Sequence, residues 1–190
     1  MILYLASRSA RRRELLDQIE VRYQSVDVEI DESTRPGESA NDYVLRLARE
    51  KAQHAHASLP STALVLAADT TVVLDGTILA KPDDSEHALR MLRSLAGRSH
   101  QVLTAVALSA ARCETRVSES TVRFRAIDDD ELRAYVATGE PMDKAGAYAI
   151  QGRAAVFIEY LQGSYSGVMG LPLFEVAQLL STAQAPTNDH

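Results

Sequence analysis

The residue with the plainest chemical meaning is an acid in an oily run. Residues 63–74 read Ala-Leu-Val-Leu-Ala-Ala-Asp-Thr-Thr-Val-Val-Leu, so Asp69 interrupts a stretch that otherwise suits a sheet covered on both faces. Burying an ionised carboxylate costs several kcal/mol unless cations or hydrogen bonds compensate. The pattern predicts one strand that runs into the carboxylate and a second strand that resumes after it. Asp69 is then either a structural turn residue or a functional group at a strand end, where open α/β sheets place their chemistry. Candidate cations lie on both sides of it in the chain: Arg12 and Lys51 before, Lys81 after. A carboxylate served by cations is equipment for handling an anion such as a phosphate.

The first cations follow a serine-rich turn. Residues 2–6 are a short apolar strand candidate, Ser7-Arg8-Ser9-Ala10 is small and polar, and Arg11-Arg12-Arg13-Glu14-Leu15-Leu16 begins a helix. Leu15, Leu16 and Ile19 share one helical face. Ser9 is the expected N-cap. Strand, serine turn and helix start form an arrangement that binds phosphate through backbone N–H groups and the helix dipole. Arginines oppose that dipole, so three in a row at a helix start call for an anion at the turn; the structural alternative is a solvated basic run. Arg12 stands four residues before Leu16, near the buried face.

The remaining candidates are placed by the elements that must carry them. Residues 39–58 form the longest helix candidate, and Lys51 shares a face with Val44, Leu47 and Ala48. A lysine there needs an anionic partner or must snorkel outward along its stem. Asp75-Gly76 between apolar runs predicts a hairpin, which sets Lys81 opposite Asp69 and Thr70. A lysine so placed helps keep Asp69 ionised. Glu29-Ile30-Asp31-Glu32 ends a strand expected over residues 22–28 and is either a solvated loop or a site for Mg²⁺. Gln151 lies between small residues, with Gly146 and Gly152 allowing close approach of the backbone to a ligand. His54 and His56 point apart on a helix and are assigned to the surface.

Helices are further expected over residues 83–96, 128–137 and 173–180, and strands over 101–110, 115–125 and 156–161. A Gly/Ser loop is expected over 163–172. The length of 190 residues suits one domain, read as 1–182, with 183–190 as a flexible tail. A net charge of −6 argues against nucleic acid as a partner but leaves room for a local basic pocket. The single cysteine, Cys113, excludes an internal disulfide. No apolar run approaches the ~20 residues of a membrane span, and the first residues lack the features of a signal peptide. A cytoplasmic protein without a membrane partner is expected.

Taken in order, Ala6-Ser7-Arg8-Ser9-Ala10-Arg11-Arg12, Arg49-Glu50-Lys51-Ala52, Ala68-Asp69-Thr70, Lys81-Pro82, Asp143-Lys144-Ala145-Gly146-Ala147-Tyr148, Gln151-Gly152 and Gly170-Leu171-Pro172 resemble the Maf-type nucleoside triphosphate pyrophosphatases. The resemblance spans residues 2–180. It implies an α/β fold with a mixed twisted sheet flanked by helices, akin to the inosine triphosphatases, and a homodimer. It implies hydrolysis of the α–β phosphoanhydride of a nucleoside triphosphate with a divalent metal cation, Mg²⁺ or Mn²⁺. By the same resemblance Asp69 is the general base, Ser9, Arg12, Lys51 and Lys81 bind substrate, and Glu32 and Asp69 meet the metal. The chain departs from the family pattern at Arg8, usually Gly, and Ala10, usually Pro. Arg12, Thr70 and Gln151 resemble the specificity residues of the dTTP/UTP-hydrolysing branch. The branch that acts on 7-methylguanosine triphosphate carries a Trp, and this chain has none. A neutral pyrimidine edge suits Gln151, which donates and accepts. A modified purine nucleotide, and a non-catalytic nucleotide-binding regulator of cell division, stand as alternatives.

Overall fold

The oily run around Asp69 forms one strand, not two. In a computed structural model that describes residues 2–184, β3 (Leu64–Leu74) is continuous through the acid. The reason is its neighbour. β5 (Ser99–Ser109) pairs antiparallel with β3 from Val65↔Ser109 to Val73↔Gln101, and Asp69 faces Ala105 within that ladder. The backbone of Asp69 is therefore held on the β5 side whatever its side chain does.

The other edge of β3 is interrupted. β1 (Leu3–Ala6) lies parallel to it and covers only Leu64–Leu66. β4 (Thr77–Leu79) returns antiparallel from the Asp75-Gly76 turn and covers only Val72–Leu74. Residues 67–71 are left at a notch between the two neighbours, and Asp69 is its midpoint. The expected strand end is thus supplied by the end of β1, and not by any break in β3.

The complete sheet runs β2-β1-β3-β5-β6-β7, with β4 beside β3. β2 (Gln24–Val26) is shorter than the strand expected from residue 22. β6 is Cys113–Phe124 and β7 is Ile158–Gln162, the latter preceded by a 3₁₀ turn at Arg153–Phe157. Parallel pairing at one end and antiparallel pairing at the other make the sheet mixed.

Helices cover both faces. α2 (Ala40–His56) lays Val44, Leu47 and Ala48 on Val65, Ala67 and Val73 of β3. On the opposite face, Leu64, Leu66 and Ala68 pack with Leu15 and Leu16 of α1 (Ala10–Gln18) and with Val176 and Leu179. Further along that face, Val72 and Leu74 meet α3 (Ser85–Leu95), α4 (Asp129–Val136) and the buried ring of Phe124. The expected Gly/Ser loop contains a short helix, α5 (Tyr165–Met169), capped by Ser164, whose Oγ accepts the Gly167 N–H. α6 (Leu173–Gln184) follows. Ala183 and Gln184 are helical, and the rest of the expected tail, residues 185–190, lies outside the described residues. Among the described residues no helix is long and apolar enough to cross a membrane.

Strand alternation has a direct consequence for the notch. Successive side chains point to opposite faces. Asp69 continues the α2 face of Val65 and Ala67, whereas Thr70 continues the α1 face of Leu66 and Ala68.

Candidate active site

A cleft of about 460 Å³ passes over the notch, and Ser9, Arg12, Glu32, Lys51, Asp69, Thr70, Lys81 and Gln151 all line it. Tertiary structure therefore gathers every candidate residue, although they span most of the chain.

On the α2 face, Lys51 Nζ stands 2.6 Å from Asp69 Oδ1 and 2.6 Å from Glu32 Oε1. The lysine is 9% exposed and the aspartate 7%, so the stem does not snorkel to the surface. Tyr43 holds the irregular segment after β2 in place by donating its hydroxyl to the Glu32 carbonyl at 2.9 Å. The acidic cluster is divided: Glu29 pairs with Arg8 at 3.1 Å in solvent, and Glu32 enters the cleft. Burial, helped by the charge of Glu32, pushes the Asp69 carboxyl above its usual 3.8, against the pull of Lys51 and Arg12. Burial pushes Glu32 upward too, but its hydrogen bond and charge contact with Lys51, aided by Lys81 and Arg12, leave it below 4.5. Environments that drive two carboxylates apart are how a site assigns them different tasks.

On the opposite face, Arg12 reaches up from the first turn of α1. Its Nε donates to the Gly170 carbonyl at 2.7 Å, Nη1 to Ser7 Oγ at 3.3 Å and Nη2 to Thr70 Oγ1 at 3.3 Å. All three acceptors are neutral, so the guanidinium is held firmly and its charge is not neutralised by contact. Burial lowers its pKa below the ordinary arginine value, with Asp69 pulling the other way; arginine stays charged at neutral pH regardless. Ser9 sits at the N-cap position but makes no side-chain cap, and no acid occupies the first turn of α1. The first N–H groups of that helix keep their capacity for an anion.

Lys81 is exposed just beyond β4, and continuing the Val72↔Leu79 register by two places sets it across from Thr70, as the hairpin predicts. Gln151 is exposed and lines the same cleft. Its loop is clamped by Glu140, which accepts the Tyr135 hydroxyl at 2.8 Å and the Arg153 N–H at 3.0 Å. Gly152 packs so closely on that carboxylate that a Cβ would stand 2.3 Å from Glu140 Oε1.

Arg8 causes no strain where the resemblance leads one to expect glycine. Among the described non-glycine residues only Glu20, Asp75 and Ala147 have positive φ. Tyr43, Thr104, Glu140 and the Gly170 carbonyl were not legible as site residues. Thr104 lies in a stretch of β5 that is buried throughout, from Val102 to Ser109, and only the β3–β5 register reveals its partner.

The Maf-like protein family matches residues 2–183, which is nearly the whole chain. The chain belongs to the Maf-like family. Among its relatives, a dTTP/UTP pyrophosphatase of Aromatoleum aromaticum is 55% identical over 199 residues, covering 97% of this chain and 96% of the relative. The dTTP/UTP pyrophosphatases of Alkalilimnicola ehrlichii and Methylobacillus flagellatus are 55% and 56% identical, covering 99% and 94% of this Maf-like chain and 96% and 90% of themselves. The Ham1 protein of Staphylococcus aureus has a similar fold, with a TM-score of 0.56 at 16% identity, covering 97% of this chain and all of its own (100%). A HAM1 protein of Coxiella burnetii gives 0.51 at 15%, covering 96% and 100%. The Maf-like chain shares with them the mixed sheet flanked by helices.

A metal has a restricted choice of ligands here. Among the described residues there is no group of three or more His, Cys, Asp and Glu side chains able to hold an ion. Glu32 and Asp69 do converge on one cation, the Lys51 ammonium. A pair of carboxylates suits Mg²⁺, which commonly binds through one or two carboxylates plus substrate phosphates and water.

Proposed function

We propose that this Maf-like chain is a hydrolase that cleaves the α–β phosphoanhydride of dTTP and UTP, giving the monophosphate and pyrophosphate. The observation that carries this reading is the meeting, at one notch in the sheet, of a buried carboxylate with cations from both faces. The names of the relatives at 55% identity support the substrate class.

The triphosphate lies across the notch, with Ser9, Arg12, Lys81 and the start of α1 taking its oxygens. Asp69 accepts a proton from a water whose oxygen bonds to the α-phosphorus. The bond from that phosphorus to the bridging oxygen breaks, and pyrophosphate departs with the electron pair. Fixed positive charge aimed at the oxygens that gain charge lowers the barrier without reorganisation. Lys51 favours the ionised form of Asp69, which a base requires. Glu32 and Asp69, with phosphate oxygens, would hold Mg²⁺ or Mn²⁺, which supplies charge neutralisation for the phosphates. Gln151, able to donate and accept, reads the neutral pyrimidine edge.

The test is a panel of nucleoside triphosphates with product identification. The expected products are pyrophosphate with dTMP or UMP. Release of single phosphate, or the same rate on every base, refutes the proposal.

A further inference from the structure

Thr104 is fully buried on β5, directly across from Thr70 on β3, behind the wall of the cleft. Its hydroxyl oxygen stands 2.7 Å from the Gly167 carbonyl and 2.9 Å from Thr70 Oγ1. A hydroxyl has one proton to give. The carbonyl can only accept, so the Thr104 proton goes to Gly167. Two oxygens 2.9 Å apart still need a proton between them; with the Thr104 proton on the carbonyl, only the Thr70 hydroxyl can supply it. Thr70, its proton committed, offers lone pairs to the cleft, and Arg12 Nη2 donates to it at 3.3 Å. The relay has one direction: guanidinium, Thr70, Thr104, carbonyl. It ends on Gly167 in α5, and Arg12 Nε is tied to Gly170 immediately after that helix.

We propose that Thr104 is a positioning residue: by fixing the direction of the Thr70 hydroxyl it sets the Arg12 guanidinium and so sharpens the choice of nucleotide. This rests on the pyrophosphatase reading above. Without the Thr104 hydroxyl, Thr70 is free to turn its proton into the cleft. Arg12 then loses a fixed acceptor and keeps only Gly170 and Ser7.

Thr104→Val removes the hydroxyl at constant shape, and Thr104→Ser keeps it. KM, kcat and melting temperature are measured for both, with dTTP and with purine triphosphates. T104V is expected to raise KM for dTTP about tenfold, the worth of one hydrogen bond to a charged group, and to narrow the preference over purines. T104S is expected to restore both. A fall in melting temperature with unchanged KM and preference overturns the proposal, because it leaves Thr104 a purely structural role. In a Thr70→Val background, T104V is expected to add nothing to KM; a second tenfold rise overturns the proposal. If T104V does not fold, Thr104→Ala takes its place in the same comparison. If wild-type protein releases no pyrophosphate, the functional reading fails by itself. Calorimetric binding of dTTP without metal then tests the relay: tenfold weakening in T104V supports it and equal affinity overturns it.

Discussion

Replacing Asp69 with asparagine separates the chemical role of this carboxylate from a structural one. Removing a general base costs ~10²–10⁴ in rate, and kcat is expected to fall by that factor. This corresponds to about 3–5 kcal/mol of lost transition-state stabilisation. Stability is expected to change little, for reasons visible in the structure. Asparagine retains an acceptor for Lys51 Nζ, which stands 2.6 Å from the oxygen it would replace. Lys51 also retains Glu32 at 2.6 Å, so no buried charge is stranded. The lost attraction is offset by relief of the burial that already disfavours the charged aspartate. The net change is within about 1 kcal/mol, or about 2–4 °C in melting temperature for a chain of this size. Binding of dTTP in the absence of metal is expected to persist or tighten, since a negative charge facing the phosphates is gone. Pyrophosphate release, thermal denaturation and calorimetric binding are the three measurements. A variant that retains more than about a tenth of wild-type kcat places the base elsewhere. One that unfolds makes Asp69 a structural residue.

Other perturbations have signs that follow from the same geometry. Lys51→Met removes the main influence that opposes the upward push of burial on Asp69, so the acid limb of kcat/KM moves to higher pH. It also leaves the buried Asp69 carboxylate without the cation that contacts it; the expected cost is about 3–5 kcal/mol near neutral pH, shrinking in acid as that group takes up a proton, which urea midpoints across pH will show. His100 is 3% exposed, bonded through Nε2 to the Tyr148 hydroxyl, and burial lowers its pKa from 6.5 to about 4. The unfolded chain therefore binds the proton first, and stability is lost as pH falls from 6.5 towards 4, by about 3 kcal/mol in all. His100→Gln flattens that part of the stability profile; an unchanged slope refutes the assignment. Gly152→Ala pushes a methyl against Glu140, whose carboxylate is pinned by Tyr135 and the Arg153 N–H, and so displaces the loop of Gln151. Steady-state kinetics are expected to show a raised KM with kcat nearly intact, whereas an equal fall in kcat and kcat/KM would place Gln151 in the transition state instead.

Features that depend on near neighbours were legible in the order of residues alone. Hydrophobic spacing put Lys51 on the inner face of its helix. Asp75-Gly76 fixed the hairpin that returns Lys81 towards Thr70. The serine turn ahead of three arginines marked the start of α1. Asp69 was conspicuous because a charge in an apolar run needs an explanation. What such patterns do not contain is which strands become neighbours. Only the packed chain decided that Asp69 sits in mid-strand, at a notch left because β1 stops at Ala6 and β4 covers only the far end of β3. Only there does strand alternation send Asp69 to Lys51 on one face and Thr70 to Arg12 on the other. The bond from Arg12 to the Gly170 carbonyl joins residues 158 positions apart, and Thr104 acquires meaning only through its register with Thr70. Local preferences act over a few residues, whereas hydrogen-bond direction and charge compensation depend on groups brought within about 3 Å by folding.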